Sequence, residues 1–466
     1  MSRWLVGAFV LVAGGGCLGP NPNLDPSADT TGDESGEAPA DASAEASDDE
    51  TGGESHGETG GEQLLCSASA ECPDTTPLCD AGLCVVCSDA ATVACAGELP
   101  ERPVCDSDSG ACVVCTPDDA SVCPEAAPAC RDHACVPCRE HGECPASACE
   151  LLTGACMPID HVWWVDQSQA FSGNGSFTSP FQLVSEALAL IPPGAHGTVM
   201  LATDGPHLEH VLVDAGRVVA IVGRPDGGVG GGLAELVADT TTLAAVDGAT
   251  VYAGHLGVRG GLGCDHATLA FDDGRIASPG WFAATLFDCD TRMRRVEAVA
   301  KAGSGVAAIA GTLALENTIL QAQAGQAALT LLDASATLVY VTLAAGVGSA
   351  ALRCLEGEGE LGEAVSIRNS LILTLDPLLP GLDGCAAASV ETSALELPLA
   401  DNLVLGPMDP AWFVGFATGN LRLAAAAPAV LASAARWHPG DPIVDLDGQA
   451  RPSEPDSPDY AGADRP

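Results

Sequence analysis

VWWVDQSQAFSGNGSFTSPFQLVSEALALIPPG, residues 162–194, opens like a strand, breaks into a polar loop and closes on an amphipathic helix. Ser179 stands at the N-cap position, with Pro180 at N1 and Gln182 three residues on, a capping box. Phe181, Val184, Leu188 and Ile191 fall on one helical face, and Pro192, Pro193 and Gly194 stop the helix. The spacing predicts one short helix with one apolar face. No comparable helix follows, so that face must cover something built from strands.

The strands are short. TVMLA (198–202), HVLV (210–213) and VVAIVG (218–223) are β-type runs ended by Gly or Asp. Further runs begin at Gly248, His266, Asp290, Gly311, Ser335 and Glu363, at intervals of 18, 24, 21, 24 and 28 residues. A loose period of about two dozen residues suits a solenoid of stacked coils, each with two or three strands. A β-sandwich would repeat a strand about every 8–12 residues with polar alternation. The wider period and the long Ala/Gly/Leu runs favour stacking. The first coil of such a stack has an open edge and a bare core, which one amphipathic helix closes. The expected class is all-β, a solenoid with an N-terminal capping helix.

The segment WWVDQSQAFSGNGSFTSPFQLVSEAL resembles the usual beginning of right-handed parallel β-helix proteins with a pectin-lyase-like fold. VSIRNSLIL (365–373) and LALENTIL (313–320) resemble their coil pattern, with Asn at a turn between β-type runs. DLDGQARPSEPDSPDYAGADRP (445–466) resembles their usual tail. The resemblance covers residues 162–466 and implies a right-handed parallel β-helix domain over 161–466.

Four cysteines lie within that domain. Cys264 and Cys289 are 25 residues apart and Cys354 and Cys385 are 31 apart, about one coil in each case. Two disulfides across adjacent coils, Cys264–Cys289 and Cys354–Cys385, are expected.

The remaining chain divides by composition. Arg3 and the apolar run WLVGAFVLVAGGG (4–16) form an export signal too short for a permanent span. Leading into Cys17, it resembles a bacterial lipoprotein signal over 1–17, in which that cysteine is lipidated. Gly14 stands where that family usually has Leu, and ordinary cleavage nearby is the alternative. Leu18 follows the anchor cysteine, not the Asp that resembles an inner-membrane retention signal, so the outer membrane and cell surface are the expected location. Residues 18–63 hold thirteen acids, no Lys or Arg and no aromatic residue. Such a segment buries too little to fold and reads as an acidic disordered linker.

Sixteen of the 21 cysteines fall between Cys66 and Cys156, in four units over 64–160. The units are Cys66, Cys72, Cys79, Cys84; Cys87, Cys95, Cys105, Cys112; Cys115, Cys123, Cys130, Cys135; and Cys138, Cys144, Cys149, Cys156. CPDTTPLCDAGLC and CPEAAPACRDHAC are near copies, joined by CVVC, CVVC and CVPC. Zinc and redox chemistry compete with disulfides for such C-x-x-C joints. Irregular ligand spacing, an oxidising compartment and units too small for a core favour disulfides. Each unit allows three pairings. The block resembles the cysteine-rich repeats of exported bacterial lipoproteins, which implies a spacer or binding module.

The formal charge is −45, from 63 acids against 18 bases, with Lys301 the one lysine. That excess repels nucleic acid and anionic lipid. No cofactor or metal is called for, although an acidic surface admits Ca²⁺. Polysaccharide-cutting β-helices need stacked carboxylates and a basic residue beside the sugar acid. The best cluster is Asp265, His266, Asp272, Asp273, Asp288, Asp290, Arg292, Arg294 and Arg295, from which Asp288, Asp290 and Arg292 are the catalytic candidates. The opposing expectation is that these acids and arginines are solvated ion pairs. His207, His210 and His255 are assigned to turns or the surface, and Trp163 and Trp164 to packing. No nucleophile elbow, P-loop or H-E-x-x-H appears. The favoured reading is a monomeric, non-catalytic surface lipoprotein: a lipid anchors it in the membrane, the tether extends it, the disulfide block spaces it, and the β-helix offers a face to carbohydrate or an envelope partner. The alternative is a secreted polysaccharide lyase or glycoside hydrolase.

Overall fold

The computed structural model describes residues 64–89, 94–144, 146–202, 205–224, 232–324, 326–355, 364–396 and 398–466. The leader, Cys17 and the acidic stretch lie outside the described residues. Gln63–Pro466 forms one compact unit.

Each coil visits three sheets in turn. Val211–Val213 lies on sheet C, Val218–Val222 on sheet A and Ala234–Val237 on sheet B; the next coil repeats this with Leu243–Val246, Thr250–Gly254 and Leu256–Arg259. Strands of successive coils pair in parallel and in register. Val218 pairs with Thr250, and the column continues through Thr268, Asp290, Thr312 and Ser335. This parallel ladder makes the domain an all-β parallel β-helix and excludes two facing antiparallel sheets.

Left-handed residues make two of the corners. From sheet C to sheet A they are Ala215 with Gly216, Asp247 with Gly248, His266, Asp288, Ala310 with Gly311, and Asp333. From sheet A to sheet B they are His255, Asp273, Arg295, Asn317, Tyr340, Asn369 and Thr392. Asn, Asp and His accept this backbone most readily among non-glycine residues, which accounts for the Asn in both coil motifs. Between corners the side chains alternate, and Val219, Val251, Leu269, Met293 and Leu313 fill the interior. Burying such side chains contributes about 1.5–3 kcal/mol each. Cys264 bonds Cys289 and Cys354 bonds Cys385, with Cα separations of 6.2 and 5.0 Å. Each bridge joins neighbouring coils.

The capping helix is shorter than its sequence suggests. It spans Val184–Ala189, and its N-cap is Leu183, not Ser179. The reason lies in competing backbone bonds. Phe181 donates to the Trp164 carbonyl and accepts from the Asp166 amide, which holds it extended beside the first strand. Glu186 then accepts from the Gln182 and Leu183 amides, and Glu209 from those of Val184 and Ser185. Val184, Ala187, Leu188 and Ile191 are buried against the first strands, Val162–Val165, His196–Leu201 and Val211–Val213. Trp163 packs on the same core and Trp164 meets Phe177 edge-on, 4.8 Å between ring centres.

Every cysteine unit is cross-linked first to third and second to fourth, as in Cys66–Cys79 with Cys72–Cys84 and Cys138–Cys149 with Cys144–Cys156. Cys87–Cys105 with Cys95–Cys112, and Cys115–Cys130 with Cys123–Cys135, repeat it. The third and fourth cysteines face each other across a hairpin. Ala81 with Gly82, and Asp132 with His133, take the paired positive φ that two-residue hairpin turns need. Loops of 11 to 18 residues make each bridge worth about 3 kcal/mol. Sulfur trios within 4.8 Å in each unit follow from these interlocked bridges.

The fourth unit is not detached from the β-helix. Ala148 and Met157 of its fourth unit bury Ala220, Val222, Tyr252 and Ala270 on the outer face of sheet A, with Leu151 against the same patch. At the other end the tail folds over sheet B. Leu405, Met408, Phe413, Leu421 and Leu431 cover Ile319, Ala344, Leu371 and Leu373. Arg451 pins that tail. Its guanidinium pairs with Asp459 at 3.0 Å, both side chains fully buried. It also donates to the Asn317 side chain at 2.9 Å and lies 3.8 Å over the Tyr340 ring, two of the corner residues. Breaking a buried pair of this kind costs about 3–5 kcal/mol. Arg451→Met should therefore raise amide exchange across 405–466 by several orders of magnitude, with Arg451→Met/Asp459→Leu recovering much of the protection.

Candidate functional site

Alternation on sheet A decides what the predicted cluster becomes. Along Phe282–Ala300, Thr291 and Met293 point inward and are buried, whereas Asp290, Arg292 and Arg294 point out. Asp290 then shares a column with Thr268 and Thr312, Arg292 with Ala270 and Ala314, and Arg294 with Asp272 and Glu316. Asp288 sits off the sheet, at the left-handed corner, in the same corner row as His266.

One half of the cluster is buried, contrary to its expected place at the solvated surface. Asp272 is 3 % exposed. Arg294 pairs with it and donates to the Arg139 carbonyl at 2.7 Å. Arg295 pairs with Asp273 and reaches Glu140 at 3.3 Å. Burial pushes the Asp272 carboxyl up, against the pull of Arg294. These four residues fasten the fourth cysteine unit to the β-helix. Next to them His141 of that unit is 5 % exposed, and neither ring nitrogen has a hydrogen-bond partner among the described residues. A Cβ added at Gly254 would meet its ring at 2.3 Å, so Gly254 is the space His141 needs.

The other half is open and dispersed. The His266 Nδ1 lies 2.6 Å from Asp265, and its Nε2 lies 3.6 Å from Asp288. All three side chains are more than half exposed. Asp290 accepts from the Thr312 hydroxyl, and Arg292 reaches Glu316 at 3.6 Å. The surface here is a shallow depression holding Asp288 and Asp290, while Arg292 lines a separate cleft. Among the described residues, groups of three ligand-type side chains within 4.8 Å consist of the disulfide cysteines. Asp288 and Asp290 thus line one hollow and Arg292, two residues on from Asp290 along the same strand face, lines the other.

The histidines divide too. His210 is exposed, its Nδ1 2.8 Å from the Thr241 carbonyl, and His255 occupies a corner facing His141. His207 is a correction: it is fully buried, because its pairing with Leu236 places it in an inward column with Leu236 and Val258. Arg139, Glu140 and His141 went unmarked in the sequence. They belong to the cysteine block, and nothing local announces that CREHGEC meets sheet A.

Between that loop and the sheet lies a cleft of about 120 Å³ lined by Arg139, Leu151, Asp272, Arg292 and Arg294. Arg294 donates from Nε and Nη2 to Asp272 and from Nη2 to the Arg139 carbonyl. Arg292 is about half exposed, with its one acidic neighbour at 3.6 Å.

A family model described as a family of unknown function, DUF8331, matches residues 50–162. It spans the cysteine units and stops where the β-helix begins. No curated protein matches the chain. Among solved structures, the pectate lyase Pel9A aligns with 66 % of this chain and 96 % of its own, at TM-score 0.32 and 13 % identity.

The His141 imidazole gives the docking of the fourth unit a pH dependence. Burial, with His255 facing it and Arg294 nearby, pushes its pKa down to about 3, against the opposing pull of Asp273. A group whose folded pKa lies below its unfolded value contributes stability above the unfolded value, near 6.5, and loses it as pH falls. By pH 5 the loss is roughly 2 kcal/mol. His141→Leu removes this loss, so its urea midpoint relative to the native chain should rise between pH 7 and pH 5.

Proposed function

We propose that the protein is a non-catalytic, surface-anchored lipoprotein that holds out its β-helix as a binding face for a carbohydrate or envelope partner. The observation that carries this reading is which faces the chain covers for itself. The fourth cysteine unit occupies the first half of sheet A and the tail the second half of sheet B. Sheet C carries neither cover. Its outward positions include Leu212, Phe287 and Leu355, each between 42 and 45 % exposed. Ile309 and Leu332, half-buried, continue the row from Phe287. Trp281, 67 % exposed, stands where the chain enters that sheet. Rows of apolar side chains rarely stay bare on a soluble protein without a partner. An apolar row repeated at the coil spacing of about 4.8 Å, with Phe287 in it and Trp281 beside it, suits a long, repeating ligand with apolar faces, such as a polysaccharide.

The anchor rests on the leader and Cys17, and the reach on the acidic stretch that follows. The acid–base residues support binding better than cutting, because Asp288 and Asp290 line one hollow and Arg292 another. The test is a glycan and polysaccharide array with residues 63–466, read for both retention and unsaturated products. Retention that falls at least tenfold in Phe287→Ala and Trp281→Ala, without product, is expected. Accumulating unsaturated ends would establish the lyase alternative.

A further inference from the structure

The cleft beside the fourth cysteine unit concentrates positive charge in a chain whose formal charge is −45. Three of its 18 bases, Arg139, Arg292 and Arg294, line one small hollow with a single carboxylate, Asp272. Asp272 is already committed to Arg294. Arg294 is 13 % exposed and fixed by that pair and by the Arg139 carbonyl. The other two guanidinium groups are not saturated. Arg292 meets Glu316 only at 3.6 Å, too long for a hydrogen bond, and the Arg139 guanidinium donates to no described residue. They come from different parts of the chain: Arg139 from the cysteine unit, Arg292 from sheet A. Leu151 closes the apolar side of the hollow.

A guanidinium is weakly hydrated and presents paired donors, so two of them across a cleft match the oxygens of one anion. We infer that this cleft binds a small oxyanion, a carboxylate or sulfate group, held between Arg139 and Arg292. At about 120 Å³ the hollow takes a group of a few heavy atoms. Acids farther away than about 8 Å are largely screened at physiological ionic strength, and of the nearer ones Asp272 is neutralised by Arg294. Occupancy ties the fourth cysteine unit to the β-helix through a third polar contact, beside Arg294 with the Arg139 carbonyl and Arg295 with Glu140. The site goes beyond the proposed binding face: it lies on sheet A, and a chain that retained no glycan on sheet C would still fill it.

The experiment titrates the full chain with sodium sulfate and sodium acetate at millimolar concentration, ionic strength held constant with sodium chloride. Binding is read as slowed amide exchange over 138–157. A parallel arm uses a sulfated and a uronate-bearing oligosaccharide. Saturable protection is expected, weakened roughly tenfold in Arg139→Gln and in Arg292→Gln, partly kept in Arg292→Lys, and unchanged in Arg275→Gln. Tighter binding of an oligosaccharide than of the free ion identifies the anion as a glycan substituent; equal binding identifies a free ion. Intact disulfide mass and an unchanged urea midpoint at zero anion show that each variant is folded. No saturable protection by any probe, or protection in Arg139→Gln and Arg292→Gln as strong as in the native chain, would overturn the assignment.

Discussion

The coils of this β-helix turn from sheet C to sheet A and from sheet A to sheet B on one or two residues held at positive φ, and the rest of the molecule depends on those corners. Such tight corners keep the strands of successive coils in register, and register stacks like positions into columns. The columns create the features with chemical content: the buried Asp272–Arg294 and Asp273–Arg295 pairs, the Arg292–Glu316 neighbours, and the outward row through Phe287, Ile309 and Leu332. The corner from sheet A to sheet B is also where both covers attach. His255, Asp273 and Arg295 meet the cysteine unit or residues beside it, and Asn317, Tyr340 and Asn369 meet the tail.

The covers answer a problem that every stack of strands poses. Sheets A and B have apolar outer faces over part of their length, and such faces left open invite association. The chain uses its own ends. A disulfide-locked unit too small to fold by burial alone lies against sheet A, and a tail rich in turns lies against sheet B. Each is fixed by charge as well as by apolar contact, Glu140 with Arg295 at one end and Arg451 with Asp459 at the other.

Much of this was legible in the sequence. The period, the single helix and the Asn corners identify the stack, and coil-length spacing indicates Cys264–Cys289 and Cys354–Cys385. The helix start was misread because Phe181 satisfies a helical pattern and a strand pairing equally well, and only the Trp164 and Asp166 backbone decides between them. The docking of the cysteine unit left a signal that period alone does not interpret. VVAIV and LILT are apolar at every position or nearly so, as strands buried on both faces are, whereas LGCD alternates. The division of the acidic cluster was not legible, since it depends on which residue takes each corner: one position separates Asp272 on the sheet from Asp273 at the bend.

The central claim is that, among the described residues, the chain covers parts of sheets A and B and leaves sheet C bare. Hydroxyl-radical footprinting of the native full chain tests it most directly. Rapid oxidation of Phe287 and Leu355, with Met157, Tyr252 and Leu421 protected until the protein unfolds, is the predicted pattern. Oxidation of Met157 and Tyr252 as fast as that of Phe287, in the folded state, would contradict the account.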